Sequence, residues 1–171
     1  MTPSRPDLLA RAALLLALTV IFQSLRLIIP VPPFFTTFII GSLVNACLLI
    51  ALETAGFAAA VAIALVAPVV AYLQGLLFLP VFIPPVAAAH LLYVLIYKTL
   101  LARGRIAATL SATAAKTAIL FAAFTWLLTF INVPPKLAAG IMFAMSWPQV
   151  FTGIMGGVLA SLIVKRLGGR P

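Results

Sequence analysis

The chain carries few side chains able to do covalent chemistry. Its one histidine is His90, its one cysteine is Cys47, and its only acids are Asp7 and Glu53. A metal centre needs several nitrogen, sulfur or carboxylate ligands together, and a carboxylate dyad needs two acids at one bond. Neither can be assembled from this set. There is also no G-x-x-x-x-G-K-[ST] loop to cradle a nucleotide phosphate. We therefore expect no enzyme, no metal and no cofactor. Asp7 suits the first turn of a helix, where a carboxylate complements the dipole. Glu53 reads as a solvated turn residue, and Cys47, alone in an apolar run, as a packing residue.

What the polar residues can do is bind. Pockets for small molecules combine apolar and aromatic walls with a few placed polar groups. The candidates are Gln23, Arg26, Gln74, His90, Lys116, Trp126, Asn132, Trp147 and Gln149. Several have a second reading. Arg26 can snorkel to headgroups, and Trp126 can belong to an interfacial belt. His90 can hydrogen-bond a neighbouring helix, and Asn132 can simply end one. Pro148 is expected to kink its helix and free a carbonyl for a polar partner, which singles out Trp147 and Gln149.

Lys116 lies about ten residues into its helix, or roughly 15 Å at 1.5 Å per residue. An ammonium at that depth is costly unless a polar route, a ligand anion or snorkelling relieves it. Asn45 is either its hydrogen-bond partner or interhelical glue. Tyr93 and Tyr97, beside Lys98, read as an inner interfacial belt. Phe34, Phe35 and Phe38 read mainly as lipid contacts, with one or two of them able to gate a ligand.

The elements that hold these residues follow from composition. The chain has 171 residues, 65% of them hydrophobic and 8% charged, with a mean hydropathy of +1.28. Soluble domains carry about a quarter charged residues, so most of this chain is expected to be solvated by lipid. We read one all-α integral membrane domain, 1–171, with six spanning helices at about 8–29, 35–53, 56–73, 85–102, 106–131 and 136–165. The apolar run after Arg11 exceeds a signal core, and no small-residue cleavage site follows it, so no cleavable leader is expected.

Prolines and glycines punctuate the chain. Pro30, Pro32 and Pro33 close the first helix, Glu53-Thr-Ala-Gly56 forms a turn, and Gly104 interrupts a basic connection. Pro84-Pro85 and Pro134-Pro135 open later helices. GLLFLPVFIPP, from Gly75 to Pro85, is too short to cross twice and reads as a loop folded over the bundle's end, or as an extension of its flanking helices.

Net charge is +9, but the positives sit at the ends of apolar runs. That is a topology signal rather than a nucleic-acid footprint. Arg5, Arg11, Lys98, Arg103, Arg105, Lys165, Arg166 and Arg170 share one side, which puts both termini in the cytoplasm of a cell-membrane protein. The outward connections, 30–34, 74–84 and 132–135, all bear proline.

Small residues mark the first helix. At about 100° per residue, Ala10, Ala13, Ala17 and Ser24 fall within about 60° of one another. Such a stripe lets another backbone lie close, either within the bundle or from a partner. Gly153 and Gly157 form a G-x-x-x-G pair best read as internal packing.

Six helices, cytoplasmic ends and A-x-x-x-A (Ala13-Leu-Leu-Leu-Ala17) in the first helix together resemble the substrate-binding S component of an energy-coupling-factor transporter. GSLVNACLLIALETAG, APVVAYLQG and SWPQ lie along the same layout. The resemblance implies a subunit that captures a vitamin or similar micronutrient from outside. It also implies docking of Ala10, Ala13 and Ala17 on a transmembrane coupling subunit powered by two ATPase subunits. The competing readings are a small multipass scaffold and an autonomous carrier or channel that oligomerises through Gly153 and Gly157.

Overall fold

The computed structural model describes residues 4–28 and 33–167, apart from the side chains of residues 33 and 34. Among the described residues seven α-helices follow one another: α1 (Arg5–Ile28), α2 (Pro33–Thr54), α3 (Phe57–Leu73), α4 (Ile83–Leu100), α5 (Arg105–Leu127), α6 (Pro135–Ala144) and α7 (Trp147–Arg166), with 3₁₀ turns at Pro80–Phe82 and Leu101–Arg103. Strands are absent among the described residues. Five stretches are long and apolar enough to cross a membrane: Arg5–Ile28, Phe35–Thr54, Pro80–Arg103, Arg105–Leu127 and Pro135–Arg166. The expected span at 56–73 is the shorter apolar helix α3. The expected closure by Pro30 and Pro32, and Arg170, lie outside the described residues.

The sixth expected helix needs correction. It is two helices, α6 and α7, broken at Met145–Ser146. Pro148 stands in the first turn of α7, where its missing N–H costs nothing. The proline thus follows a break instead of kinking a continuous rod.

Turn chemistry explains the other boundaries. Gly56 (φ +98°) and Gly104 (φ +109°) occupy left-handed conformations that a Cβ disfavours. The N–H groups of Ala55 and Gly56 both bond the Ala51 carbonyl at 2.9 Å, closing α2. The Gly75–Pro85 stretch does fold back over the bundle, burying Leu77 and Phe82.

α2 is apolar on every side, as a helix enclosed by others should be. It packs against α1, α3, α4 and α7, and Leu48, Leu49 and Ala51 are fully buried. Close approach comes from small residues. A Cβ on Gly153 would stand 2.6 Å from the Thr113 hydroxyl, and one on Gly157 would collide with Thr109. A Cβ on Gly156 would meet Asn45 and stand 3.0 Å from the Ala46 backbone nitrogen. Gly153 and Gly157 are therefore spent inside the bundle, against α5, and are not free for an oligomer contact.

At the basic end two expectations fail. Glu53 is not solvated; its side chain is only 8% exposed and pairs with Arg105 at 2.7 Å. Tyr97 Oη donates to the Glu53 carboxylate at 2.9 Å. Arg11 donates to the Thr54 carbonyl at 3.3 Å, and Lys98 lies 4.4 Å from the Phe57 ring centroid. The α2–α3 turn collects cations from three helices because it holds an acid and unspent carbonyls. Nor do Tyr93 and Tyr97 form an interfacial belt. Both rings are fully buried, and Tyr93 Oη donates to the Gly153 carbonyl at 2.7 Å, satisfying a hydroxyl that burial would otherwise penalise.

Candidate ligand-binding cavity

At the opposite end, beside the Leu76–Phe78 loop, lies a cavity of about 350 Å³. Its floor and walls come from α1, α2, α3, α4, α5, the Leu76–Phe78 loop and the α6–α7 break. The apolar lining is Ile40, Val44, Ala67, Ala71, Leu77 and Leu120; the polar lining includes Gln23, Arg26, Asn45, His90, Lys116 and Gln149. Five of the nine sequence candidates thus meet in one place, brought from four helices.

Lys116 is 2% exposed, and its ammonium donates to Asn45 Oδ1 at 2.8 Å. An ammonium can only donate, so this bond fixes the amide orientation and leaves Asn45 Nδ2 as a donor. That Nδ2 is buried without a partner. Tyr93 offers its ring face to the ammonium, 5.4 Å from the centroid, a weak cation–π contact. Neither acid can help, since Asp7 bonds Ser4 and Glu53 bonds Arg105.

Two prolines give up backbone donors here, Pro68 inside α3 and Pro148 in the first turn of α7. Pro68 cannot supply the N–H that Ala64's carbonyl would receive, and it stands with His90 in the cavity wall. Pro148 likewise cannot serve Ala144, and Gln149 Nε2 donates to the Ala144 carbonyl at 2.8 Å. His90 faces the cavity, and its Nδ1 is buried and unpartnered. Gln23 Nε2 donates to the Ala67 carbonyl at 2.9 Å, leaving Oε1 buried and unpartnered. Arg26 lines the mouth, half-buried.

No family model, curated protein or solved structure matches this chain.

The remaining candidates lie elsewhere. Gln74 Nε2 donates to Ser24 Oγ at 2.9 Å, tying the end of α3 to α1. Trp126 is 63% exposed and meets Phe130 edge-on, as its belt reading requires. Asn132 is exposed in the α5–α6 connection. Trp147 is 54% exposed, packs against Phe38 and Phe143, and lines an outer apolar groove with Phe35, Ile39 and Phe151. Its neighbour Gln149 points inward because the two are separated by about 200° around α7.

Sequence reasoning missed Thr36, Gly41, Phe78, Met145 and Thr152, all in the lining. Thr152 stands three residues after Gln149, so helical spacing alone could have flagged it. Phe78 was hidden in a loop whose path no periodicity reveals. Phe35 and Phe38, considered as gates, do not line this cavity; Phe34's side chain is not among those described.

The stripe on α1 has a clear position. Ala10, Ala13 and Ala17 are exposed, whereas the helix buries Leu15, Thr19 and Gln23. Only 17% of the apolar window of α1 is buried, against 61% for α2.

Proposed function

We propose that this chain is a multipass membrane protein, with both termini cytoplasmic, that serves as the substrate-capture subunit of an energy-coupling-factor importer. Its cargo is a vitamin or similar micronutrient. The ligand enters from the outer, proline-bearing end and is held among Gln23, Arg26, His90, Lys116 and Gln149. The bundle then reorients against a transmembrane coupling subunit, driven by ATP hydrolysis on two other subunits.

The observation that carries this reading is the bare alanine face of α1, on the same bundle as a polar-lined cavity. A helix packed only to support its own bundle would turn its smallest residues inward, as α7 does. On α1 they face out, where close backbone approach is useful only to a partner helix. The absence of an ion-coupling acid in any span fits a subunit that is powered from elsewhere.

Replacing Ala13 and Ala17 with tryptophan tests it. The expected result is a folded chain that no longer co-purifies with its coupling subunit or supports ATP-dependent uptake. Unchanged complex yield and uptake would reject it, and uptake by liposomes holding this chain alone without ATP would favour an autonomous carrier.

A further inference from the structure

We infer that the cavity holds an amphipathic monocarboxylate, its head group set against Lys116 and Asn45 and its hydrocarbon body against the walls of α2, α3 and α5. The inference rests on the capture reading for the cavity's role, and adds the ligand's chemical class.

The donor balance at the closed end is one-sided. The Lys116 ammonium has three N–H groups and spends one on Asn45. The Asn45 amide has both its N–H groups buried and unspent. No carboxylate of the chain reaches them, because the two acids are engaged at Ser4 and Arg105. A buried charge is tolerated when it is paired and hydrogen-bonded, and a neutral amide oxygen supplies only half of that. An incoming carboxylate supplies both a counter-charge and several acceptor lone pairs in one group.

The charge count sets the valence. One cation stands at the closed end, and the second, Arg26, stands at the mouth. A phosphate monoester, carrying about −1.5 to −2 at neutral pH, would leave charge uncompensated at the closed end. The body follows from the walls: Ile40, Val44, Ala67, Ala71, Leu77 and Leu120 present hydrocarbon. A volume of about 350 Å³ lies at the small end of ligand pockets, which run from roughly 300 to 1,000 Å³. Gln23 Oε1, buried and unpartnered, adds an acceptor for one N–H or O–H on the ligand's body, and the unpartnered His90 Nδ1 adds a second polar contact.

Binding is measured on the full chain in a nonionic detergent. The probes are hexanoate, octanoate, decanoate and phenylbutyrate, each beside its primary amide, with oleate as a bilayer-derived acid. At least one acid is expected to bind about tenfold or more tightly than its amide, the scale of one close charge pair. A shorter acid outcompeting oleate assigns the source to soluble solutes; oleate winning keeps the head-group assignment and makes the bilayer the source. Lys116→Gln should abolish the preference. Because that variant can also disturb folding, Asn45→Asp is the second test. It places an internal carboxylate on Lys116, so the chain should fold and yet lose acid binding. Equal binding of acids and amides, no binding by any acid, or retained acid binding in folded Asn45→Asp would each overturn the inference. ATP-dependent uptake of a neutral cargo would remove the anion assignment and leave capture standing. Acid binding by a chain that neither forms a complex with a coupling subunit nor supports ATP-dependent uptake would do the reverse.

Discussion

Gln149 Nε2 donates to the Ala144 carbonyl at 2.8 Å, where a continuous helix would have used the N–H that Pro148 lacks. The side chain thereby splices α6 to α7 across the break and points the rest of that turn into the cavity. Pro148 exposes a carbonyl, and a cavity-lining side chain takes it up.

Removing the splice should be costly. Gln149→Leu leaves the carbonyl unpaired, for about 1–3 kcal/mol. Gln149→Glu, though nearly isosteric, should lose at least as much while ionised, because a carboxylate cannot donate. Thermal unfolding of the two variants in detergent checks this; a stable Glu variant would argue against the bond.

The Glu53–Arg105 pair should behave as a buried ion pair. Glu53→Gln strands a guanidinium that is 16% exposed and should cost on the order of 3 kcal/mol. Replacing both residues with leucine should cost less than either single change. A double-mutant cycle in denaturant measures the coupling, and additive losses would show the pair to be idle.

Two glycines predict opposite outcomes. Gly156→Ala forces a methyl group against Asn45 and the Ala46 backbone, so α2 and α7 must part, at about 1–3 kcal/mol. Gly140→Ala meets nothing within 4 Å and should be neutral or stabilising by up to about 1 kcal/mol. Melting temperatures of the pair decide. Because Asn45 also holds Lys116, Gly156→Ala should weaken ligand binding as well.

Folding and docking should separate on α1. Ala17→Leu enlarges an exposed side chain, so the isolated chain should melt within about 0.5 kcal/mol of the parent. Complex formation with the coupling subunit should nonetheless fall. A large loss of intrinsic stability would mean the stripe serves the bundle itself.

Much of the fold was legible from residue types. Runs of apolar residues between prolines and glycines mark the helices, because backbone groups in such runs must bond within their own segment. The break at Met145–Ser146 was not legible, since the hydrophobic run continues through it and only the backbone dihedrals record it. Five of nine binding candidates converge on the cavity. Gln74, Trp126, Asn132 and Trp147 do not, because an aromatic or polar residue near a helix end can face outward or inward equally well.

Sequence by itself determined the inventory: one buried-depth lysine, no acid within its span, small residues on two helices, and a single histidine and a single cysteine. These follow from side-chain chemistry, which does not depend on neighbours. Only the tertiary structure decided pairing. It gave Glu53 to Arg105 and Tyr97, Lys116 to Asn45, and Gly153 and Gly157 of α7 to the threonines of α5. It also left the alanines of α1 bare. Contacts between residues dozens of positions apart depend on how helices rotate and cross, and close packing of whole surfaces sets that, not any local run of residues.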